Sequence, residues 1–269
     1  MADPRKPIGV FDSGVGGLTV AHAIKQVLPG ESMIYFGDTA HLPYGDKSAE
    51  AIKYYASGIA EFLLEQECKA VVIACNTASS VAFETIEKLA GELALVFNVI
   101  DPVVGYYCKH VASMPVGVIG TKATIQSNAY EKKIKAVLPE AKVYSRATPL
   151  LVPMIEEGFV FDDISNAIIR AYLSVEPMNK VESLILGCTH YPIISNQIRK
   201  FYDFNVEVLD SASIVARAVR DKLAQEGLLN PGNKGVDRFY VSNYTAYFRK
   251  IAGMFFSGDI KLEKLDLWR

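Results

Sequence analysis

Short, mostly apolar runs recur along the chain, separated by longer stretches in which apolar and polar positions repeat at helical spacing. The runs fall at 8–11, 33–36, 70–74, 96–100, 116–119, 142–145, 183–186, 206–209 and 238–241. Their length and lack of polar alternation predict strands buried on both faces, as in parallel sheets. The stretches 17–28, 48–66, 78–90, 124–137, 162–175, 192–200 and 211–226 predict helices. Strands alternating with helices across short connections mean βαβ units, and hence an α/β chain of doubly wound, mostly parallel sheets.

One pattern occurs twice. Val71-Val72-Ile73-Ala74-Cys75-Asn76-Thr77 reappears as Leu184-Ile185-Leu186-Gly187-Cys188-Thr189-His190. In each copy the cysteine falls where a buried strand gives way to a loop, and ligands of open α/β sheets collect at the carboxyl ends of strands. Two thiols delivered to two such edges suggest two groups approaching one carbon from opposite sides. That arrangement takes a proton from one face and returns one to the other. The copies lie about one domain length apart, which marks a duplicated half rather than a solenoid. Asp101-Pro102 and Leu209-Asp210-Ser211 read as crossings between lobes, and 227–237 as the most loop-like stretch.

Composition narrows the function further. At 269 residues, half of them hydrophobic and 22% charged, the chain can build one large core or two smaller ones. A net charge of −2 gives no general basic field, so nucleic-acid binding has no support in the totals. The opening Met1-Ala2-Asp3-Pro4-Arg5-Lys6-Pro7 has no apolar signal region, and no run of about 20 apolar residues could span a bilayer. A cytoplasmic protein without membrane contact is expected. Cys68, Cys75, Cys108 and Cys188 show no C-x-x-C pairing, so reduced thiols are expected, with Cys68 and Cys108 structural.

The remaining motifs sit at strand-to-helix turns. Phe11-Asp12-Ser13-Gly14-Val15-Gly16-Gly17 lacks both the dinucleotide and the P-loop spacing, yet its backbone N–H groups can cradle a carboxylate. Pro43-Tyr44-Gly45 makes a rigid turn, equally a surface feature or a ligand contact. Cys75 precedes a helix that Asn76 or Thr77 can cap, and the helix dipole there favours thiolate. Gly120-Thr121-Lys122-Ala123-Thr124 offers hydroxyls at another helix start, though capping alone explains them as well. His190 could assist a thiol proton, bind a carboxylate, or satisfy a turn; His22, His41 and His110 are read as structural. No His/Cys spacing makes a zinc site, and no G-x-S-x-G elbow occurs.

Together these stretches, with Leu186-Gly187-Cys188-Thr189-His190-Tyr191-Pro192 and Asp210-Ser211-Ala212, resemble the glutamate racemase family, cofactor-independent members of the aspartate/glutamate racemases. The matches run in order over nearly the whole chain. The resemblance implies two α/β domains related by pseudo-twofold symmetry, 1–101 with 210–269 and 102–209, with glutamate in the cleft between them and no cofactor or metal. Cys75 would take the proton from D-glutamate and Cys188 from L-glutamate. Asp12, Asp38, His190 and Glu156 would support them, Glu157 being equally placed for the last role. Asp12, Ser13, Pro43, Tyr44, Gly45, Asn76, Thr77, Thr121, Thr124, Thr189 and His190 would hold the substrate. A homodimer and a supply of D-glutamate for peptidoglycan are implied as well.

The chemistry explains the need for two cysteines. The α-hydrogen is barely acidic, and no Schiff-base lysine motif is recognisable here, so position and electrostatics must stabilise the carbanion. Moving a thiol from ~8.5 to ~7 is worth about 2 kcal/mol; a helix terminus can supply part of it, and a dry pocket opposes it. One thiol must be ionised while the other stays protonated. Sulfurs flanking one carbon would stand about 7 Å apart, too far for a disulfide. Rival readings are an aspartate or substituted-malonate racemase or decarboxylase of the same superfamily, a cysteine hydrolase using one thiol with His190, and a two-lobed anion-binding protein.

Overall fold

The computed structural model describes residues 3–111, 115–232, 235–244, 248–249, 252–253, 256 and 261–268. Met1-Ala2 of the opening segment, Asn233-Lys234 of the loop-like stretch, and parts of 245–269 lie outside them.

Among the described residues, ten strands form two all-parallel sheets. The first has six: β1 (Ile8–Asp12), β2 (Met33–Gly37), β3 (Ala70–Ile73), β4 (Leu95–Asn98), β9 (Arg238–Val241) and β10 (Leu262–Lys264), in the order β10-β9-β2-β1-β3-β4. The second has four: β5 (Val116–Gly120), β6 (Val143–Ala147), β7 (Ser183–Gly187) and β8 (Glu207–Leu209), in the order β6-β5-β7-β8. All nine expected strands are present; β10 is additional.

The period-two geometry of a strand decides what each residue packs against. Ile8, Val10, Met33, Tyr35 and Val72 turn to one face of the first sheet, where α1 (Leu18–Val27) and α10 (Ser211–Gln225) cover them. Phe11, Ile34, Phe36, Val71 and Ile73 turn to the other, under α2 (Ala49–Glu65) and α3 (Asn76–Ala90). In the second sheet Ile119, Leu184, Leu186 and Cys188 face α7 (Leu151–Glu156), α8 (Asp163–Leu173) and α9 (Ser195–Phe201). Val116, Val118, Ile185 and Leu209 face α4 (Asp101–His110) and α6 (Ala129–Val137). Strands covered on both sides need no polar face, which is why they read as unbroken apolar runs.

The helices depart from the expected spans in four places. The stretch 124–137 is two helices, α5 (Lys122–Gln126) and α6, broken where Asn128 takes a left-handed φ of 55°. The start of 192–200 is a 3-10 turn, Tyr191–Ile194, before α9. Helices α4 and α7 were not expected. Among the described residues no helix is long and apolar enough to cross a membrane.

Candidate active site

Strand β1 ends in Asp12, which is fully buried. Its Oδ2 accepts from the Gly14 backbone N–H (2.9 Å), and its Oδ1 from the Thr189 hydroxyl (3.3 Å), which arrives from the other lobe. Burial pushes the Asp12 carboxyl up, against the charge of His190 and these hydrogen bonds. The lobes approach closely here: a Cβ on Gly16 would lie 2.6 Å from His190 Nδ1, so only glycine fits.

Next along the sheet, β3 delivers Cys75. The cysteine itself caps α3, its Sγ accepting from the Ala78 N–H at 3.5 Å, where Asn76 or Thr77 was expected in that role. Sγ also lies 3.6 Å from Ser13 Oγ. Burial, reinforced by the Asp12 charge, pushes this thiol up to about 12 despite both bonds. The expected thiolate-favouring effect of the helix start is therefore outweighed, because desolvation of a charge exceeds the pull of a few partial dipoles.

Strand β7 delivers Cys188, the equivalent of Cys75. Its Sγ is 3.8 Å from His190 Nδ1, and His190 Nε2 is 3.0 Å from Glu156 Oε1. Burial alone would push the imidazolium down. The bonds to Cys188 and Glu156, with their charges, outweigh it, and His190 is raised well above the ordinary histidine range. Glu156, at the end of α7, is the partner of His190, and Glu157 beside it is exposed.

Both cysteines are unbonded and line one cavity. Asn76 gives it polar character: the amide Oδ1 accepts from the Tyr130 hydroxyl (2.6 Å), and its buried Nδ2 has no partner among the described residues. Three hydroxyls cluster beside it, Thr77 lying 2.9 Å from Thr121 and 3.2 Å from Thr124 across the lobe boundary. Ser13, Pro43, Tyr44, Gly45, Thr189 and His190 complete the expected lining.

Four expected residues stand behind that lining: Asp12, Thr124, Asp38 and Glu156 are absent from the cavity wall. Asp38 accepts from the Tyr44 hydroxyl, and Glu156 meets His190. Conversely, Thr148, Pro149 and Val152 line the cavity and were missed. Thr148 immediately follows β6, so the rule that ligands collect at strand ends points to it. Asp46 and Lys122, also unforeseen, pair across the cavity mouth at 3.1 Å. Among the described residues no group of three or more His, Cys, Asp or Glu side chains is placed to hold a metal ion.

The family described as Asp/Glu/hydantoin racemase matches residues 8–219. A glutamate racemase of Geobacter metallireducens is 42% identical over 258 residues, covering 96% of this chain and 95% of the relative. Among solved structures, glutamate racemase from Francisella tularensis in complex with D-glutamate superposes with a TM-score of 0.92 at 41% identity, covering 98% of this chain and 99% of that one. A glutamate racemase isoform from Bacillus anthracis gives 0.92 at 34% identity, covering 98% of each chain.

Proposed function

The chain belongs to the Asp/Glu/hydantoin racemase family, and on that premise we propose that it interconverts L- and D-glutamate by proton transfer at the α-carbon. The observation that carries this reading is the pair of unbonded thiols, Cys75 and Cys188, lining one cavity from two separate sheets. Full-length similarity to glutamate racemases supports glutamate over aspartate as the substrate.

From L-glutamate, the Cys188 sulfur takes the α-proton, and the electron pair remains on the α-carbon. The Cys75 thiol then gives its proton to the opposite face. This leaves a thiol at Cys188 and a thiolate at Cys75, and exchange with solvent resets the pair. From D-glutamate the same steps run backwards. The Asn76 amide and the hydroxyls of Ser13, Thr77, Thr121 and Thr189 hold the carboxylates, and donors fixed on the α-carboxylate stabilise the charge that develops there. The substrate ammonium brings positive charge beside Cys75, which offsets part of the cost of ionising it. His190, braced by Glu156, stands beside Cys188 as proton donor and acceptor.

The two enantiomers have equal free energy, so kcat/KM is the same in both directions at every pH, however unlike the two cysteine environments are. The lobes are assigned as 1–101 with 210–269 and 102–209, and the assembly as a homodimer. The setting is the cytoplasm, and the product is D-glutamate for peptidoglycan.

Circular dichroism of L-glutamate, D-glutamate and L-aspartate solutions tests the reading. Both glutamates should lose optical activity with the wild type. Cys75→Ala and Cys188→Ala should each slow this by at least ~10²-fold, the usual weight of a positioned acid or base. Full activity in either variant, or turnover of aspartate alone, overturns the proposal.

A further inference from the structure

Asp38 follows β2 and is fully buried, yet its carboxylate is spent on neighbours rather than on the cavity. Its Oδ2 accepts from the Tyr44 hydroxyl at 2.6 Å. Its Oδ1 accepts from the Ser242 hydroxyl at 2.7 Å and stands 2.8 Å from His41 Nδ1, which must donate because an ionised carboxylate only accepts. Of this group only Tyr44 lines the cavity.

His41 is held in turn. Its ring stacks on Tyr55 of α2, centroids 4.0 Å apart and planes 20° from parallel. Trp268 meets the edge of both rings, 5.5 Å from His41 and 5.4 Å from Tyr55. The indole lies over Gly58, where an added Cβ would stand 2.7 Å from its Cη2. Leu265 and Leu267 pack against the same apolar cluster that contains Tyr44 and Cys75. The C-terminal segment thus reaches the cavity through Trp268, His41, Asp38 and Tyr44 in turn.

We propose that His41 and Trp268 are positioning residues through which the C-terminal segment fixes the Asp38 carboxylate and, with it, the Tyr44 side chain that binds substrate. The inference rests on the cavity being the glutamate site. Without the His41 donor, Oδ1 keeps only Ser242 among the described residues, and the carboxylate is free to turn away from Tyr44. A purely structural aromatic cluster would behave differently: its loss would lower Tm and leave substrate affinity alone.

The test uses His41→Phe, which keeps a ring on Tyr55 but removes the donor, with Trp268→Ala and Trp268→Phe. For both glutamate enantiomers, KM should rise roughly fivefold in His41→Phe and Trp268→Ala, the weight of one ordinary hydrogen bond, with kcat within about twofold. Trp268→Phe retains the aromatic edge and should restore the wild-type KM. Trp268 is the sole tryptophan, so its emission reads the far end of the relay. Saturating D-glutamate should shift that emission in the wild type and not in His41→Phe. Wild-type KM values in both His41→Phe and Trp268→Ala, or emission indifferent to D-glutamate in an enzyme that racemises it, overturn the inference. A wild type that racemises nothing overturns instead the assignment of the cavity.

Discussion

Cys75 and Cys188 are sequence equivalents in unlike surroundings, and the difference lies in what each sulfur touches. Cys75 is enclosed with a hydroxyl, a backbone N–H and a buried carboxyl nearby, whereas Cys188 faces an imidazole backed by a carboxylate. Burial and the Asp12 charge therefore keep Cys75 protonated, with its thiol pushed up to about 12. Alkylation of Cys75 by iodoacetamide, followed by peptide mass analysis, should accelerate about tenfold per pH unit up to about pH 10 without a plateau. A plateau near pH 8 would show that burial does not control this thiol. The cysteines and the polar groups following them were legible from residue types at strand ends. That Asp38 and Glu156 contact Tyr44 and His190 rather than the cavity was not, because sequence spacing does not say which side chain stands in front of which.

At the scale of elements, the site is made by loops from two sheets that touch. Gly16 sits at a close approach, and a Cβ there would press on Thr189 and His190. Gly16→Ala should lower kcat/KM by roughly 10-fold or more, since small displacements of acid and base groups are costly. Gly30→Ala, whose Cβ would meet nothing within 4 Å, should stay near wild type in the same assay. Every strand covered on both faces was legible, because burial on two sides leaves a plain apolar run. The elements that escaped are short or mixed. Strand β10 is three residues at the sheet edge, α7 is six residues with Pro153 inside, and α4 carries Pro102, Gly105 and a polar C-terminal end. Helix α7 mattered most, since it brings Glu156 to His190. The break at Asn128 was invisible because asparagine takes a left-handed conformation without a glycine to announce it.

For the molecule as a whole, enclosing thiols has a cost that pH exposes. Burial pushes Cys68 and Cys75 each up to about 12 in the folded protein, from an ordinary value of 9.0. The folded state holds these protons longer than the unfolded chain. Their contribution is complete below the unfolded value and is lost as pH rises from 9.0 towards about 12. Urea unfolding should give a stability that falls above pH ~9, by up to about 1.4 kcal/mol per pH unit for each thiol. Cys75→Ala should make that decline shallower, and an unchanged slope would count against burial of the thiol.

The duplicated architecture matters because it brings two sulfurs to a single cavity from separate sheets, and isotope transfer tests whether they act on opposite faces of one carbon. In deuterated water, early turnover of L-glutamate should give D-glutamate carrying deuterium at the α-carbon, while recovered L-glutamate remains protiated. Each thiol exchanges its own proton with solvent, and the one that donates is not the one that abstracts. D-glutamate that keeps the original protium would mean a single group handing the same proton back, and two-sided transfer between Cys188 and Cys75 would be wrong.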